Sequence, residues 1–71
     1  MVIFVSGASG YLGSHLVKAL LKDHRVFALM RTTSSRDRIG GVSVVTVNVD
    51  EGDALENAFA LHQPDVVINT A

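Results

Sequence analysis

The sequence contains no cysteine and only one proline among its 71 residues. Without cysteine the chain has no disulfide scaffold, no thiolate metal ligand and no cysteine nucleophile. This composition fits a reducing compartment, so we expect a cytoplasmic location. The three histidines are scattered without metal-ligand spacing, so no metal site is predicted.

Neither sign of charge dominates, since six Lys and Arg stand against seven Asp and Glu, for a net charge of −1. This balance gives no electrostatic reason to bind nucleic acid or an anionic membrane surface. Long apolar runs are also missing: nowhere do about 18 apolar residues follow one another, and no signal-peptide core is present. We therefore expect neither nucleic acid nor a membrane as a partner.

What the sequence does have is a hydrophobic content of 48%, with 18% charged residues. That composition is typical of a folded globular unit and is too apolar for disorder. A chain this short buries only about 60% of its unfolded surface, which is near the lower limit for folding alone. The 71 residues are therefore predicted to be one domain or a part of one.

Short apolar runs alternate with amphipathic or polar segments along the chain. Continuous apolar runs indicate buried strands, and apolar residues spaced three and four apart indicate amphipathic helices. Asp53 and Glu56 form a capping-box pattern before the second helix, and Pro64 ends that helix. The predicted elements are strands at 1–5, Arg25–Met30, 42–49 and 65–71, helices at 11–22 and Ala54–His62, and a polar loop with room for a helical turn at 31–41.

This order of elements predicts an α/β fold with a parallel sheet, because parallel strands need helical or loop crossovers rather than tight turns. Right-handed crossovers place the strands in the order 3-2-1-4. If the last strand ends the sheet, its apolar Val66–Ile68 segment has an unpaired edge, so we expect self-association through that edge or partial order.

Three glycines, Gly7, Gly10 and Gly13, follow the first strand and open the first helix. In this context their spacing is typical of a dinucleotide-binding loop: the first permits a tight turn, the second lets the backbone approach a pyrophosphate, and the third allows close helix packing. The helix N-terminus then offers unpaired N–H groups to the anion. The alternative is a strand-to-helix turn that uses its glycines only for packing. A Walker loop is disfavoured because Ser14 and His15, not lysine, follow the last glycine.

The stretch VSGASGYLGSHLVKALL resembles the opening of extended short-chain dehydrogenases/reductases, the NAD(P)-dependent epimerase/dehydratase family. The likeness continues through VNVDEGDALENAF and PDVVINTA and spans essentially the whole chain. It implies an NAD(P)-binding Rossmann-type fold, of which residues 1–71 are the N-terminal part, without the substrate half.

The resemblance also implies which residues bind the cofactor. Asp50 stands where the family contacts the adenine amino group, although a simple loop acid is the alternative. Glu51 stands where the family usually has an apolar residue that packs on the adenine. Ser9 offers a hydroxyl either to phosphate or to the helix end. The expected cofactor-binding residues are Gly7, Ser9, Gly10, Tyr11, Leu12, Gly13, Arg31, Arg36, Asp50, Glu51, Thr70 and Ala71.

For function, the resemblance implies hydride transfer in the reduction, epimerisation or dehydration of a nucleotide-linked sugar or a related alcohol or ketone. The family's catalytic Tyr-x-x-x-Lys pair is not in this chain, because Tyr11 is the single tyrosine and His15 stands four residues later. We therefore expect no catalytic residue here. The alternative function is a non-catalytic NADP(H)-binding sensor or structural module.

Cofactor choice depends on the residue just past the second strand. An acid there accepts hydrogen bonds from the ribose of NAD, whereas an arginine pairs with the 2′-phosphate of NADP. The chain has Arg31 at this position, with Arg36 nearby and no acid before Asp37. We expect NADP to be preferred over NAD, the alternative being that Arg31 is a solvated strand end.

Overall fold

The computed structural model describes residues 1–70, so the predicted site residue Ala71 lies outside the described part of the chain. Its four strands are all parallel and lie in the order β3-β2-β1-β4. This confirms the predicted α/β class and the predicted strand order. The elements are β1 (Val2–Ser6), α1 (Tyr11–Leu20), β2 (Arg25–Met30), a 3₁₀ helix (Asp37–Ile39), β3 (Val45–Asn48), α2 (Ala54–His62) and β4 (Val66–Asn69).

The central strand β1 is covered on both faces, as a continuous apolar run predicts. Ile3 and Val5 pack on one face in a cluster with Val17 of α1. Phe4 faces the other way, in a second cluster with Ala58 of α2. The two helices therefore cover opposite faces of the sheet, the arrangement of doubly wound α/β folds.

Aromatic rings anchor α2 to its face. Phe4 of β1 meets Phe27 of β2 at a centroid distance of 5.4 Å and meets Phe59 of α2 at 5.0 Å, edge to face. His62 lies over the Phe27 ring at 4.1 Å. These contacts fix the helix across β1 and β2, so that its first turn lies near the carboxyl end of β3.

Several element boundaries differ from the prediction, and two of the differences are explained by backbone hydrogen bonds. β3 begins at Val45 rather than at residue 42, because the Val42 amide donates to the carbonyl of Ile39 (3.2 Å) and holds the chain to the 3₁₀ helix. α1 ends at Leu20 rather than at residue 22, where the Asp23 amide bonds back to Leu20 in a tighter turn.

The predicted capping box at the start of α2 is not formed. Asp53 occupies the N-cap position, but its side chain makes no cap hydrogen bond. The Asp53 carbonyl accepts from the Asn57 amide (2.9 Å), and the Glu51 carbonyl accepts from the Ala54 amide (2.9 Å). The backbone of a tight turn thus begins the helix. No helix within residues 1–70 has the length and apolar content needed to cross a membrane.

Candidate functional site

A cleft of about 570 Å³ lies where the carboxyl ends of the strands meet. Because all four strands are parallel, their last residues reach the same edge of the sheet. The sheet also reverses its strand order there, since β1 lies between β2 and β4, and such a switch point leaves a crevice. The cleft is lined by Ser6, Gly7, Ser9, Leu29, Met30, Arg31, Ser34, Val49, Leu55 and Asn69.

The glycine loop makes one wall of the cleft. Gly7 has a φ of 70°, a left-handed conformation that glycine adopts without steric cost and that turns the chain off β1. The amide of Gly10 then donates to the Gly7 carbonyl at 3.0 Å and closes the turn. The tight turn predicted at Gly7 is therefore present.

Gly13 is required by a close approach between α1 and this loop. A Cβ at Gly13 would lie 2.8 Å from the carbonyl carbon of Gly7 and 2.8 Å from the Thr70 Oγ1. Both distances are too short for carbon, so only glycine fits unless the helix moves away. Gly13 thus permits α1 to pack directly against the loop and the end of β4.

The first turn of α1 leaves backbone donors unpaired. The first helical hydrogen bond runs from the Ser14 amide to the Gly10 carbonyl (3.0 Å), so the N–H groups of residues 11–13 have no acceptor within the helix. No side chain caps this end, where N-cap Gly10 has none to offer. The helix therefore presents free N–H groups and a partial positive charge beside the glycine loop.

The end of β4 is fastened to the end of β1. The Thr70 hydroxyl donates to the Ser6 carbonyl at 2.7 Å, and the Ser6 hydroxyl donates to Asn69 Oδ1 at 2.7 Å. The Thr70 hydroxyl also lies 3.3 Å from the Gly7 carbonyl. Thr70 thus holds the two strand ends and the glycine loop together, and it does not line the cleft.

The segment after β2 carries two predicted arginines with different surroundings. Arg31 lines the cleft, and within residues 1–70 its guanidinium has no hydrogen-bond partner. Arg36 is engaged: its Nη2 donates to Asn48 Oδ1 at 2.7 Å, and the side-chain Nδ2 of Asn48 donates to Glu51 Oε1 at 2.8 Å. Arg36 and Glu51 therefore belong to one chain of hydrogen bonds outside the cleft lining.

Asp50, just past β3, binds the segment after β2. Its Oδ1 accepts from the Thr32 amide at 3.0 Å, and its Oδ2 accepts from the Thr32 hydroxyl at 2.9 Å. The pKa of the Asp50 carboxyl lies below its ordinary value of 3.8. The hydrogen bond from the Thr32 amide is the largest cause, the hydrogen bond from the Thr32 hydroxyl is the next, and the positive charge of Arg31 adds to the effect.

The structure brings only some of the predicted residues into the cleft. Gly7, Ser9 and Arg31 line it. Tyr11 and Leu12 lie on the exposed side of the first turn of α1, with side chains 70% and 64% exposed. Those outside the lining are Gly10, Tyr11, Leu12, Gly13, Arg36, Asp50, Glu51 and Thr70.

Sequence reasoning missed the apolar part of the lining, namely Leu29, Met30, Val49 and Leu55. The signal that could have found Met30 and Val49 was available, because a residue at or just past the carboxyl end of a predicted parallel strand reaches the crevice. Leu55 lies in the first turn of α2, and predicting it would have required knowing where that helix lies relative to β3. No group of three or more metal-ligating side chains occurs in the described part of the chain.

These features define a Rossmann-type α/β protein: a parallel sheet in 3-2-1-4 order, a left-handed glycine turn and an uncapped helix N-terminus at the switch point. The sequence model of the NAD dependent epimerase/dehydratase family matches residues 3–71, and the chain belongs to this family.

Two comparisons place the chain among known proteins. The fold is similar to that of UDP-glucose 4-epimerase from Thermotoga maritima, crystallised with UDP-glucose, with a TM-score of 0.82 and 24% identity. That match covers 100% of this chain and 24% of the epimerase. The sequence is also similar to the hybrid PKS-NRPS synthetase fsa1 of Fusarium sp. (strain FN080326), 51% identical over 37 residues, which is 48% of this chain and 1% of the synthetase. The chain therefore spans about a quarter of the epimerase and a very small part of the synthetase.

Proposed function

We propose that residues 1–71 are the N-terminal, cofactor-binding part of an NAD(P)-dependent oxidoreductase, epimerase or dehydratase. The substrate class that fits the family is a nucleotide-linked sugar or a related alcohol or ketone. The observation that carries the proposal is the uncapped N-terminus of α1, which follows the left-handed turn at Gly7, a residue that lines the cleft at the sheet's switch point.

The residues present suit a dinucleotide. The free N–H groups of residues 11–13 favour an anion such as a pyrophosphate, and Gly7 and Ser9 bring backbone and hydroxyl groups to the same wall. Val49 and Leu55 supply apolar surface for a planar base on the other wall. The cleft volume of about 570 Å³ lies within the range of small-molecule sites.

The bound nicotinamide would supply hydride transfer, and this chain's own residues would bind and orient the cofactor. The glycine loop and the start of α1 would hold the phosphates, and the Ser6, Asn69 and Thr70 hydrogen bonds fix the ends of β1 and β4 against each other. A chain without a Tyr-x-x-x-Lys pair lacks the residues with which the family exchanges a proton with its substrate. We therefore expect the 71 residues alone to oxidise no sugar nucleotide or alcohol above a buffer control, as measured by absorbance at the reduced-nicotinamide band.

NADP is the proposed preferred cofactor, with NAD as the alternative. Support comes from Arg31, which lines the cleft and whose guanidinium has no hydrogen-bond partner in residues 1–70, and from the lack of a carboxylate in the lining. A charge-assisted contact between an arginine and the 2′-phosphate is worth about 1.5–3 kcal/mol, which is a tenfold to hundredfold preference. Arg36 offers less support, because Asn48 and Ser34 already occupy its guanidinium.

The alternative function is a non-catalytic NADP(H) sensor or structural module. It is compatible with the cleft lining of the described residues, which contains no histidine, lysine or tyrosine, although the enzyme proposal predicts the same lining. The reading frame beyond Ala71 distinguishes the two: a downstream Tyr-x-x-x-Lys supports the enzyme, and its absence supports the sensor.

Calorimetric titration of the protein with NADP⁺ and NAD⁺ tests the proposal. We expect NADP⁺ to bind about tenfold tighter, and we expect Arg31→Ala to abolish the difference while NAD⁺ affinity stays the same. Arg25→Ala is the matched control, because it removes the same charge at the opposite end of β2. Lack of binding by either dinucleotide would refute the proposed function, and an unchanged ratio in Arg31→Ala would refute the selecting role of Arg31.

A further inference from the structure

Asp50 and Thr32 join the segments that follow β3 and β2. Both oxygens of the Asp50 carboxylate are engaged, one by the Thr32 amide at 3.0 Å and one by the Thr32 hydroxyl at 2.9 Å. A carboxylate that accepts two hydrogen bonds from one residue fixes both the position and the rotation of that residue. Thr32 follows Arg31 directly, so this pair, here called the Asp50–Thr32 clamp, determines where the chain goes after Arg31.

The clamp lies beside a tight turn that faces the cleft. The Ser34 amide donates to the Arg31 carbonyl at 3.0 Å, and the Arg31 amide donates to the Ser34 hydroxyl at 3.2 Å. Arg31 and Ser34, the two ends of this turn, line the cleft, whereas Asp50 and Thr32 do not. The residues that face the cleft are thus held by a pair that stands outside its lining.

We infer that Asp50 is a positioning residue for cofactor discrimination: through Thr32 it holds the 31–34 turn so that Arg31 and Ser34 face the cleft. This inference rests on the proposed function. It assigns to Asp50 a role separate from contact with the adenine amino group: each carboxylate oxygen accepts one hydrogen bond from Thr32 and keeps a lone pair for a further donor.

The sign of the effect separates positioning from electrostatics. Asp50 is negative and lies close enough to Arg31 for the arginine to lower its pKa. If Asp50 acted only through its charge, removing it would strengthen the attraction between Arg31 and a 2′-phosphate. If Asp50 positions Arg31, removing it weakens NADP⁺ binding although the cleft becomes more positive.

A double-mutant cycle measured by calorimetry tests this inference. In the otherwise unchanged protein we expect Arg31→Ala to lower the ratio of NADP⁺ to NAD⁺ affinity about tenfold. Asp50→Ala alone should lower the ratio about fivefold, and Arg31→Ala added to it should lower the ratio only about twofold further, because coupled residues are not additive. Additive effects, or a higher ratio in Asp50→Ala, would overturn the inference.

Matched variants separate the clamp from general damage. Asp53→Ala removes an equal charge three residues away, where the side chain makes no cap hydrogen bond, and it should leave the ratio unchanged. Asp50→Asn keeps an acceptor for the Thr32 amide and should restore most of the ratio. Thr32→Val is a milder change that loses only the hydroxyl hydrogen bond, and it should lower the ratio of NADP⁺ to NAD⁺ affinity. Thr33→Val is its control and should leave that ratio unchanged.

Amide hydrogen exchange gives a readout that needs no cofactor. Asp50→Ala should accelerate exchange of the Thr32 amide about tenfold or more, and Asp53→Ala should not. Unchanged exchange at Thr32 would overturn the clamp itself. Failure of both dinucleotides to bind the unmodified protein would instead refute the proposed function and the inference with it, whereas binding with an unchanged ratio in Asp50→Ala refutes the inference alone.

Discussion

At the scale of the residue, the packing of α1 and the shape of the candidate site both depend on the lack of a Cβ at Gly13. A methyl group there would lie 2.8 Å from the Gly7 carbonyl carbon and from Thr70 Oγ1. We predict that Gly13→Ala lowers the free energy of unfolding by about 2 kcal/mol, the usual cost of overpacking, and weakens dinucleotide binding because α1 moves away from the loop. Urea denaturation and calorimetry measure the two effects.

Gly41→Ala is the control for Gly13→Ala, since a Cβ at Gly41 has no atom within 4 Å. It should change stability by no more than about 0.5 kcal/mol and leave binding intact. Equal effects of the two substitutions would show that the close approach of α1 to the glycine loop does not matter.

Asp50 makes stability depend on pH in a defined direction. Its pKa is lowered in the folded chain, mainly by the Thr32 amide hydrogen bond, so its contribution is present above the ordinary value of 3.8 and is lost as the pH falls through the folded pKa. We predict that the protein is more stable than its Asp50→Asn variant at neutral pH and that the difference shrinks in acid below that value. Thermal melts across the acidic range measure this. A stability difference that grows as the pH falls would contradict the assignment.

At the scale of the element, the end of α2 holds a residue in an unfavourable conformation. Gln63 follows the helix with a φ of 47°, in the left-handed region that glycine prefers, and its amide still donates to the Phe59 carbonyl at 3.0 Å. We predict that Gln63→Gly raises the free energy of unfolding by about 1 kcal/mol. Gln63→Ala, which keeps the strained backbone, should give no gain in the same denaturation experiment, and a gain from alanine would show that the side chain rather than the backbone is responsible.

The sequence predicted the elements better than their ends. The residue pattern identified all four strands, both helices and the strand order, because apolar runs and helical spacing depend on local composition and on burial. The start of β3 was wrong because the Val42 to Ile39 hydrogen bond depends on how the preceding loop folds. The capping box was wrong because side-chain and backbone acceptors compete for the same amides, and the sequence does not show which prevails.

The parts of the candidate site that depend on local backbone conformation could be predicted from the sequence. The parts that depend on side-chain contacts between residues far apart in the sequence could not. The role of Gly7 in the turn followed from its place after an apolar run, and the structure confirms that turn. The Arg36–Asn48 and Asp50–Thr32 pairs join residues 12 and 18 positions apart, so no local pattern indicates them. The binding roles of Arg31, Arg36, Asp50 and the other site residues stay predictions.

At the scale of the whole molecule, the edge of the sheet at β4 is open. Among the described strands, β4 pairs only with β1, and its residues Val66 and Val67 are 38% and 47% exposed. An exposed apolar edge strand is a template for association. We predict that the 71-residue chain self-associates at tens of micromolar in sedimentation velocity and that Val67→Lys shifts it toward monomer.

Val45→Lys tests which edge associates, because Val45 is a similarly exposed residue, 56%, on the opposite edge strand β3. Association through β4 predicts that Val45→Lys leaves it unchanged, and a shift toward monomer would place the contact at β3. A single monomeric species with a cooperative melt in the unmodified chain would show that the four-stranded sheet is stable without association.

The central claim is that the cleft at the carboxyl ends of the strands binds a nicotinamide dinucleotide, and an NMR titration of backbone amides with NADP⁺ tests it most directly. The account predicts saturable shifts that are largest at residues 7–13 and 31–34, and predicts their loss in Gly13→Ala but not in Gly41→Ala. Absence of shifts at millimolar NADP⁺, or shifts confined to the opposite end of the sheet around His24 and Asp65, would contradict it.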